Sequence, residues 1–560
     1  MSFKINSLYL TDGYKVGHKK MLAPGTTKLY GTWIPRSIKH APEGVTKIVS
    51  FGQQLVWKWL HDEFEENFFS DRTDYALFEI EHDAIKQKAL QFVKDMSLYL
   101  GMEYDGKHFE ELWNLGYLPI KVKALPEGIE TGTNIPHMTF VNTVDGFAWL
   151  ALYLETIVSS LAWKPSTAAT IARLYRKQAV EWVSKTDPAN IGLVDFMCHD
   201  FSARGLDPMS QYLIGLGHAT SFKGSDTLPV IPASRYFYGV KEDEMPIFSV
   251  NASEHSVSTT KIFTVGEKQM LLDWLKIFPQ GMLSWVIDTF STWDAIKYAA
   301  ECKDEIMARD GKLVFRPDSG DPVDIICGTD KIVQKKSQMN YLDEWLCLED
   351  GKRYHDAGSS HNHRHEEWII ESTDIKPSRK GVIELLWDIF GGTINEQGFK
   401  VLDPHIGAIY GDSITPERQI QIYERLAAKG FAATNIVLGV GSFTYQYNTR
   451  DTLGFAAKGA WFEVEENVEF ISLMSEDEPF IFSAKTSYNI YKDPITDDGT
   501  KKSLKGKVAV LQKDNGEYFT IQECNDEDEN SGVLQVIYED GKFFNLTTLE
   551  EVRAKLLKNG

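Results

Sequence analysis

The chain is short of cysteine and short of basic residues. Its five cysteines (Cys198, Cys302, Cys327, Cys347 and Cys524) are odd in number, widely spaced and form no Cys-x-x-Cys pair. That argues against a disulfide framework and a thiolate zinc site, and makes a reducing cytoplasm the expected compartment. Lys and Arg number 59 against 80 Asp and Glu, a formal net charge of −21. A general nucleic-acid or anionic-membrane binder wants a basic face, so neither is expected. No segment reaches the roughly 18 uninterrupted apolar residues of a membrane helix. The most apolar stretch, 147–163, contains Glu155 and reads as a buried helix. The N-terminal segment lacks the charged-then-apolar layout of a signal peptide.

What is present is enough apolar surface for a sizeable core. Of the 560 residues, 43% are hydrophobic and 12% aromatic, and the length suits about two domains. One theme recurs through the middle: a short β-branched run ends in an acid or glycine, and a helix-compatible stretch usually follows. The instances are 190–201, 282–290, 312–322, 405–413 and 435–443. Such runs suit strands buried on both faces of a parallel sheet. The fold expectation is α/β, with a β/α-barrel-like central domain over 166–460 and an insertion at about 327–382. The flanks, 1–165 and 461–560, carry alternating strand patterns and are expected to join in one sheet-rich α+β domain built from both termini. In a parallel β/α architecture the chemistry gathers at the C-terminal ends of the strands.

Several of those ends carry chemistry-bearing residues. In RPDSGDP (316–322), Arg316 can fork onto an anionic oxygen and Asp318 can accept from sugar hydroxyls; a structural Arg–Asp turn is the alternative. In GVGSF (439–443), Gly439 and Gly441 would let backbone amides approach a phosphate, with Arg450 nearby, or simply make a turn. GDS (411–413) offers Asp412 either to ribose hydroxyls or as a turn residue. HDFSARG (199–205) offers Phe201 for ring stacking or for a core, and the cation Arg204. Asp226 in FKGSDT would accept a hydrogen bond from a neutral amide and repel a carboxylate. Glu254 beside His255 is either a proton- or phosphoryl-handling pair or a structural one. His361, His363 and His365 alternate and could share a metal, yet their Gly/Ser-rich setting reads as a solvated loop.

Taken in order, TDGYKVGHKK (11–20), IPR (34–36), HDFSARG, FKGSDT, SEHS, RPDSGDP, GDS, NTRD (448–451) and YKDP (491–494) carry a specific resemblance. The sequence resembles the nicotinamide phosphoribosyltransferases and, more distantly, the nicotinate enzymes of the same type II phosphoribosyltransferase family. The resemblance implies a homodimer with sites at the interface and condensation of nicotinamide with phosphoribosyl pyrophosphate. The products would be nicotinamide mononucleotide and pyrophosphate, with Mg²⁺ as cofactor and ATP as an optional coupling substrate. It implies a nicotinamide group of Phe201, Tyr14, Asp226, Arg204, Arg316 and Ser249, with Tyr14 reaching in from the partner. Arg36, Asp294, Asp318, Gly411, Asp412, Gly441, Ser442, Arg450, Lys458 and Lys492 would handle ribose and phosphates. His255 would be a phosphohistidine oriented by Glu254, and His255, Asp318, Arg316 and Asp226 would carry the catalysis. Two departures stand out: GVGSF replaces a glycine-rich GSGGG, and DTFSTWD (288–294) is longer than the family pattern. The alternatives are a nicotinate phosphoribosyltransferase, a non-catalytic phosphosugar- or nucleotide-binding regulator, and a metal-dependent barrel enzyme using the histidine cluster.

Overall fold

The computed structural model describes residues 4–70, 87–339, 344–356, 367–369, 375–411, 413–470, 480–496 and 502–558. The chain divides into two compact units. One comprises 1–170, 232–244 and 448–560, and the other 171–231 and 245–447. The first division falls inside the helix Glu155–Thr186. The second falls at 447/448, earlier than the expected 460/461, because the long strand Phe455–Phe470 pairs with Thr26–Pro35.

The terminal unit is built on a seven-stranded sheet. Its strands, edge to edge, are Phe480–Asn489, Phe455–Phe470, Thr26–Pro35, Met138–Asn142, Ile120–Ala124, Gln535–Glu539 and Lys542–Phe543. All pairings are antiparallel, so both termini do contribute to one sheet. Fully buried Trp33 stacks on Phe455 with ring centroids 5.1 Å apart and planes 6° apart, joining N- and C-terminal strands through aromatic burial.

The central unit carries seven parallel strands: β1 (Cys198–Asp200), β2 (Gly224–Ser225), β3 (Asn251–Ala252), β4 (Gln280–Val286), β5 (Asp310–Arg316), β6 (Ile406–Tyr410) and β7 (Val437–Val440). Their spatial order is β2-β1-β7-β6-β5-β4-β3. Gly224 forms a parallel bridge with Phe248, just before β3, so the two edges meet and the sheet curls into a ring. Ser225 N–H donates to the Phe248 carbonyl (3.0 Å), and Phe248 N–H to that of Lys223 (2.7 Å). Bulky residues such as Trp285 and Phe315, both fully buried, pack this ring. The helices after the strands start where local chemistry dictates. Thr415 accepts from Arg418 N–H and Pro416 opens the helix Pro416–Ala428; Asp321 and Pro322 do the same for Pro322–Cys327.

The expected insertion holds a small sheet of its own, Lys331–Val333, Glu344–Cys347, Lys352–Asp356 and Glu367–Ile369, rather than a plain loop. The cluster His361, His363 and His365 lies outside the described residues. Arg353 anchors this sheet. Its guanidinium meets Asp330 at 2.6 Å and both oxygens of Glu384, on the helix Pro377–Phe390, at 2.7 and 3.0 Å. Lys429 closes the network on Glu384 at 2.5 Å, and the Asp330 side chain is 0% exposed. A charge left unpaired in such a place is costly, so Arg353→Met is expected to lose about 3–5 kcal/mol of stability. Denaturant unfolding checks this, and a loss within error of zero would contradict the anchoring role.

Candidate active site

The sequence brings β1 to its end in Asp200, a fully buried acid that organises the turns around it. Its carboxylate accepts from Ser202 N–H (2.9 Å), Thr227 Oγ1 (2.8 Å) and Ser225 Oγ (3.3 Å), tying the turn after β1 to the turn after β2. Phe201 N–H donates to the Val440 carbonyl of β7 (2.8 Å). Phe201 and Asp226 are therefore held at the same end of the ring.

Inside that end lies a cavity of about 320 Å³, lined by Phe201, Asp226, Ser249 and Arg316 together with His199, Phe196, Phe248, Ser284 and strand aliphatics. Its size suits a small flat molecule. The Arg316 guanidinium sits 5.7 Å from the Phe201 ring centroid, and His199 packs on the same ring at 4.7 Å. Asp226 Oδ1 accepts from His199 Nε2 (3.0 Å) and from the Ser249 hydroxyl. Burial pushes the Asp226 carboxyl up, but His199, Ser249 and Arg316 outweigh it and hold it below the usual carboxylate value.

A second group stands at the ends of β3 to β6. His255 opens the helix His255–Val265, with Nδ1 3.2 Å from Thr289 Oγ1. Its Nε2 faces Asp288 (3.7 Å) and Asp318 (4.0 Å). Arg316 also meets Asp318 at 3.8 Å. Gly411 makes room for that carboxylate, since a Cβ there would stand 1.6 Å from Asp318 Oδ1. Gly439 is held by backbone crowding, because a Cβ would meet the Gly411 carbonyl at 2.3 Å. Asp288 Oδ1 and Arg316 Nε are buried without a hydrogen-bond partner among the described residues. At the mouth of a cavity, a bound ligand or an ordered water would complete the bonding of such groups.

The structure thus brings together Phe201, Asp226, Ser249 and Arg316, and then Arg316, Asp318, Gly411 and His255. Other expected residues lie apart. Glu254 pairs with exposed Arg204 at 3.5 Å, and the acids meeting the His255 ring are Asp288 and Asp318. Asp294 sits in the first turn of the helix Thr292–Glu301, where its charge, after burial, helps push Glu267 up to about 6. Gly441 accepts at its carbonyl from the Thr444 and Tyr445 amides as the chain turns after β7. The backbone of Ser442 begins the short helical turn Ser442–Gln446. Asp412 lies outside the described residues.

Tyr14, Arg36, Arg450, Lys458 and Lys492 belong to the terminal unit. There Tyr14 is 67% exposed, Arg36 Nε donates to the Gly454 carbonyl (3.2 Å), and Arg450 pairs with Asp451 (3.1 Å). Lys458 and buried Lys15 share Glu155, at 3.1 and 2.9 Å. The Lys492 backbone amide donates to Ser503 Oγ (2.7 Å). His199, Asp288 and Lys15 were not singled out from sequence. The acid opening DTFSTWD was the available signal for Asp288, and HDFSARG for His199.

An aromatic-walled cavity and a charged group at the C-terminal ends of a parallel β/α ring define an α/β-barrel enzyme. A profile of the nicotinate phosphoribosyltransferase (NAPRTase) family matches residues 196–471. A nicotinamide phosphoribosyltransferase of Acinetobacter baylyi is 35% identical over 575 aligned positions, covering 99% of this chain and 98% of that one. One from Xanthomonas campestris is 28% identical, covering 78% and 79%. The nicotinate-nucleotide pyrophosphorylase structure from Pyrococcus furiosus shares the fold, with TM-score 0.50, 15% identity and coverage of 100% of this chain and 97% of that one. The chain belongs to the nicotinate phosphoribosyltransferase family.

Asp200→Ala would release two turns at once. It is expected to cost about 2–3 kcal/mol, the worth of hydrogen bonds to a buried charged acceptor. Amide exchange should rise in the turns holding Phe201 and Asp226. Unchanged exchange in both turns would show that Asp200 does not hold them.

Proposed function

We propose that this enzyme condenses nicotinamide with phosphoribosyl pyrophosphate, giving nicotinamide mononucleotide and pyrophosphate in NAD salvage. The observation that carries this reading is an ionised Asp226 in the ring cavity. A carboxylate there accepts the carboxamide N–H of nicotinamide and repels the carboxylate of nicotinate. The Phe201 ring supplies a stacking face, and Tyr14 of a partner subunit the opposite one in a homodimer. The relatives named as nicotinamide enzymes support the same base.

The chemistry suits these groups. The pyridine nitrogen has no proton to lose, so no general base is required. Loss of pyrophosphate from the anomeric carbon builds oxocarbenium character. The carboxylate of Asp318 would stabilise the positive sugar, and Arg316 would steady the ribose side. Arg36, Arg450, Lys458 and Lys492 are proposed as phosphate-handling cations. The Gly441–Ser442 turn and Asp412 would take the 5′-phosphate and ribose. Mg²⁺ fits this donor set: Asp288 and Asp318 offer hard oxygen donors, and one Asp288 oxygen is buried without a partner among the described residues. There, no group of three or more ligating side chains forms a metal cage, as suits a cation shared with substrate phosphates. When bound it would supply charge neutralisation for the departing pyrophosphate.

His255, faced by Asp288 and Asp318, is proposed to accept a phosphoryl group from ATP and couple its hydrolysis to turnover. No helix among the described residues is long and apolar enough to cross a membrane, and a cytoplasmic location is proposed.

The direct test is pyrophosphate release with nicotinamide and with nicotinate, each with and without ATP. Release with nicotinamide in clear excess over nicotinate is expected. A preference for nicotinate would establish the sister activity, and no release with either would favour a binding protein. Asp226→Ala is expected to lose the preference, by about 10–100-fold in relative kcat/KM for a lost charge-assisted hydrogen bond. Because the Asp226 carboxyl lies below its usual value, the preference should persist through neutral pH and fade only as pH falls through that lowered value. His255→Ala should abolish ATP stimulation while retaining ATP-independent transfer. ATP stimulation that survives would remove His255 from that role.

A further inference from the structure

Asp226 can discriminate between bases only if one oxygen is free to meet them and the group stays ionised. Its surroundings arrange both. Oδ1 takes two donors, His199 Nε2 at 3.0 Å and the Ser249 hydroxyl. Among the described residues, no hydrogen bond or ion pair engages Oδ2. A carboxylate can only accept, so the His199 nitrogen facing it must carry the hydrogen. The other ring nitrogen lies against Gly224, where a Cβ would stand 2.9 Å from Nδ1. The glycine therefore allows the ring to press onto β2. On its other side the imidazole packs on Phe201 at 4.7 Å. The middle residue of β1 is thereby wedged between the stacking ring and the amide-accepting acid, with its side chain only 13% exposed.

We propose that His199 is the positioning residue for base selection. By donating to Oδ1 it turns Oδ2 toward the cavity and keeps Asp226 ionised, so that the site takes a neutral carboxamide in preference to a carboxylate. This deepens the proposed nicotinamide-transferring function and rests on it. Without the His199 donor, a carboxyl that accepts fewer hydrogen bonds binds its proton more readily. A protonated Asp226 becomes a donor, and a donor can meet the carboxylate of nicotinate.

The test compares native enzyme, His199→Phe, His199→Gln and Asp226→Ala. The phenylalanine keeps the ring volume and the packing on Phe201 but removes the donor. The glutamine restores an N–H at similar reach. Initial rates with nicotinamide and with nicotinate are measured across a pH series. His199→Phe is expected to lose about 10–100-fold in nicotinamide kcat/KM, mainly through KM, for one charge-assisted hydrogen bond. Its nicotinate kcat/KM should rise as pH falls, a trend weaker in the native enzyme. His199→Gln should recover most of the loss. His199→Phe combined with Asp226→Ala should be no less selective than Asp226→Ala alone.

A native enzyme that turns over nicotinamide, with His199→Phe leaving selectivity and pH profile unchanged, would overturn the role of His199 alone. Equal losses of kcat for both bases in His199→Phe, not rescued by glutamine, would make the residue merely structural and also overturn it. A native enzyme inactive with both bases would overturn the parent reading, and this one with it.

Discussion

The candidate site depends on the closure of a ring of parallel strands where its shortest strands meet. β2 and β3 are only two residues long. They meet through the backbone pairing of Lys223 and Ser225 with Phe248. That pairing brings Asp226, just past β2, beside Ser249, just past Phe248. His199 on β1 completes the set from the neighbouring strand. Without the seam, Ser249 would lie at the opposite edge of an open sheet from His199 and Asp226, which neighbouring strands keep together. Short strands at this point place turns, rather than strand interiors, around the cavity, and turns supply side chains that converge.

Charge is handled locally rather than globally. The formal charge of −21 argued against a general nucleic-acid surface but said little about the ligand. In the central unit, Arg316 is placed so that one guanidinium serves the Phe201 ring, Asp226 and Asp318. In the terminal unit, Glu155 joins Lys15 and Lys458. Elsewhere a buried network around Arg353 and Glu384 secures the inserted sheet. Acids thus fix cations in place.

The architecture was legible where strands carry apolar runs. β1, β6 and β7 fall within the expected segments, β4 and β5 begin two residues before theirs, and Thr415 and Pro416 marked a helix start correctly. β2 and β3 were not legible, because two residues of Gly-Ser or Asn-Ala carry no periodicity. The inserted sheet was not legible, because its strands are three to five residues long and are held by a small apolar cluster of Val333, Cys347 and Tyr354 and by the Arg353 ion network. At the site, Phe201, Asp226, Arg316, Asp318 and His255 stood in recognisable motifs, Ser249 was named through the resemblance, and the structure gathers them. His199 was missed because it shares a motif with a more conspicuous aromatic. Asp288 and Asp294 share one segment, and only the helix start at Thr292 shows which of them turns inward.

The central claim is that an ionised, half-held Asp226 selects a neutral carboxamide. The most direct measurement is a crystal structure of the enzyme with nicotinamide bound. The account predicts the pyridine ring against Phe201 and the carboxamide nitrogen within about 3 Å of Asp226 Oδ2, as a hydrogen bond requires. His199 should still hold Oδ1. A ring bound with its carboxamide turned away from Asp226, or a carboxylate of nicotinate seated in the same position with equal occupancy, would contradict it.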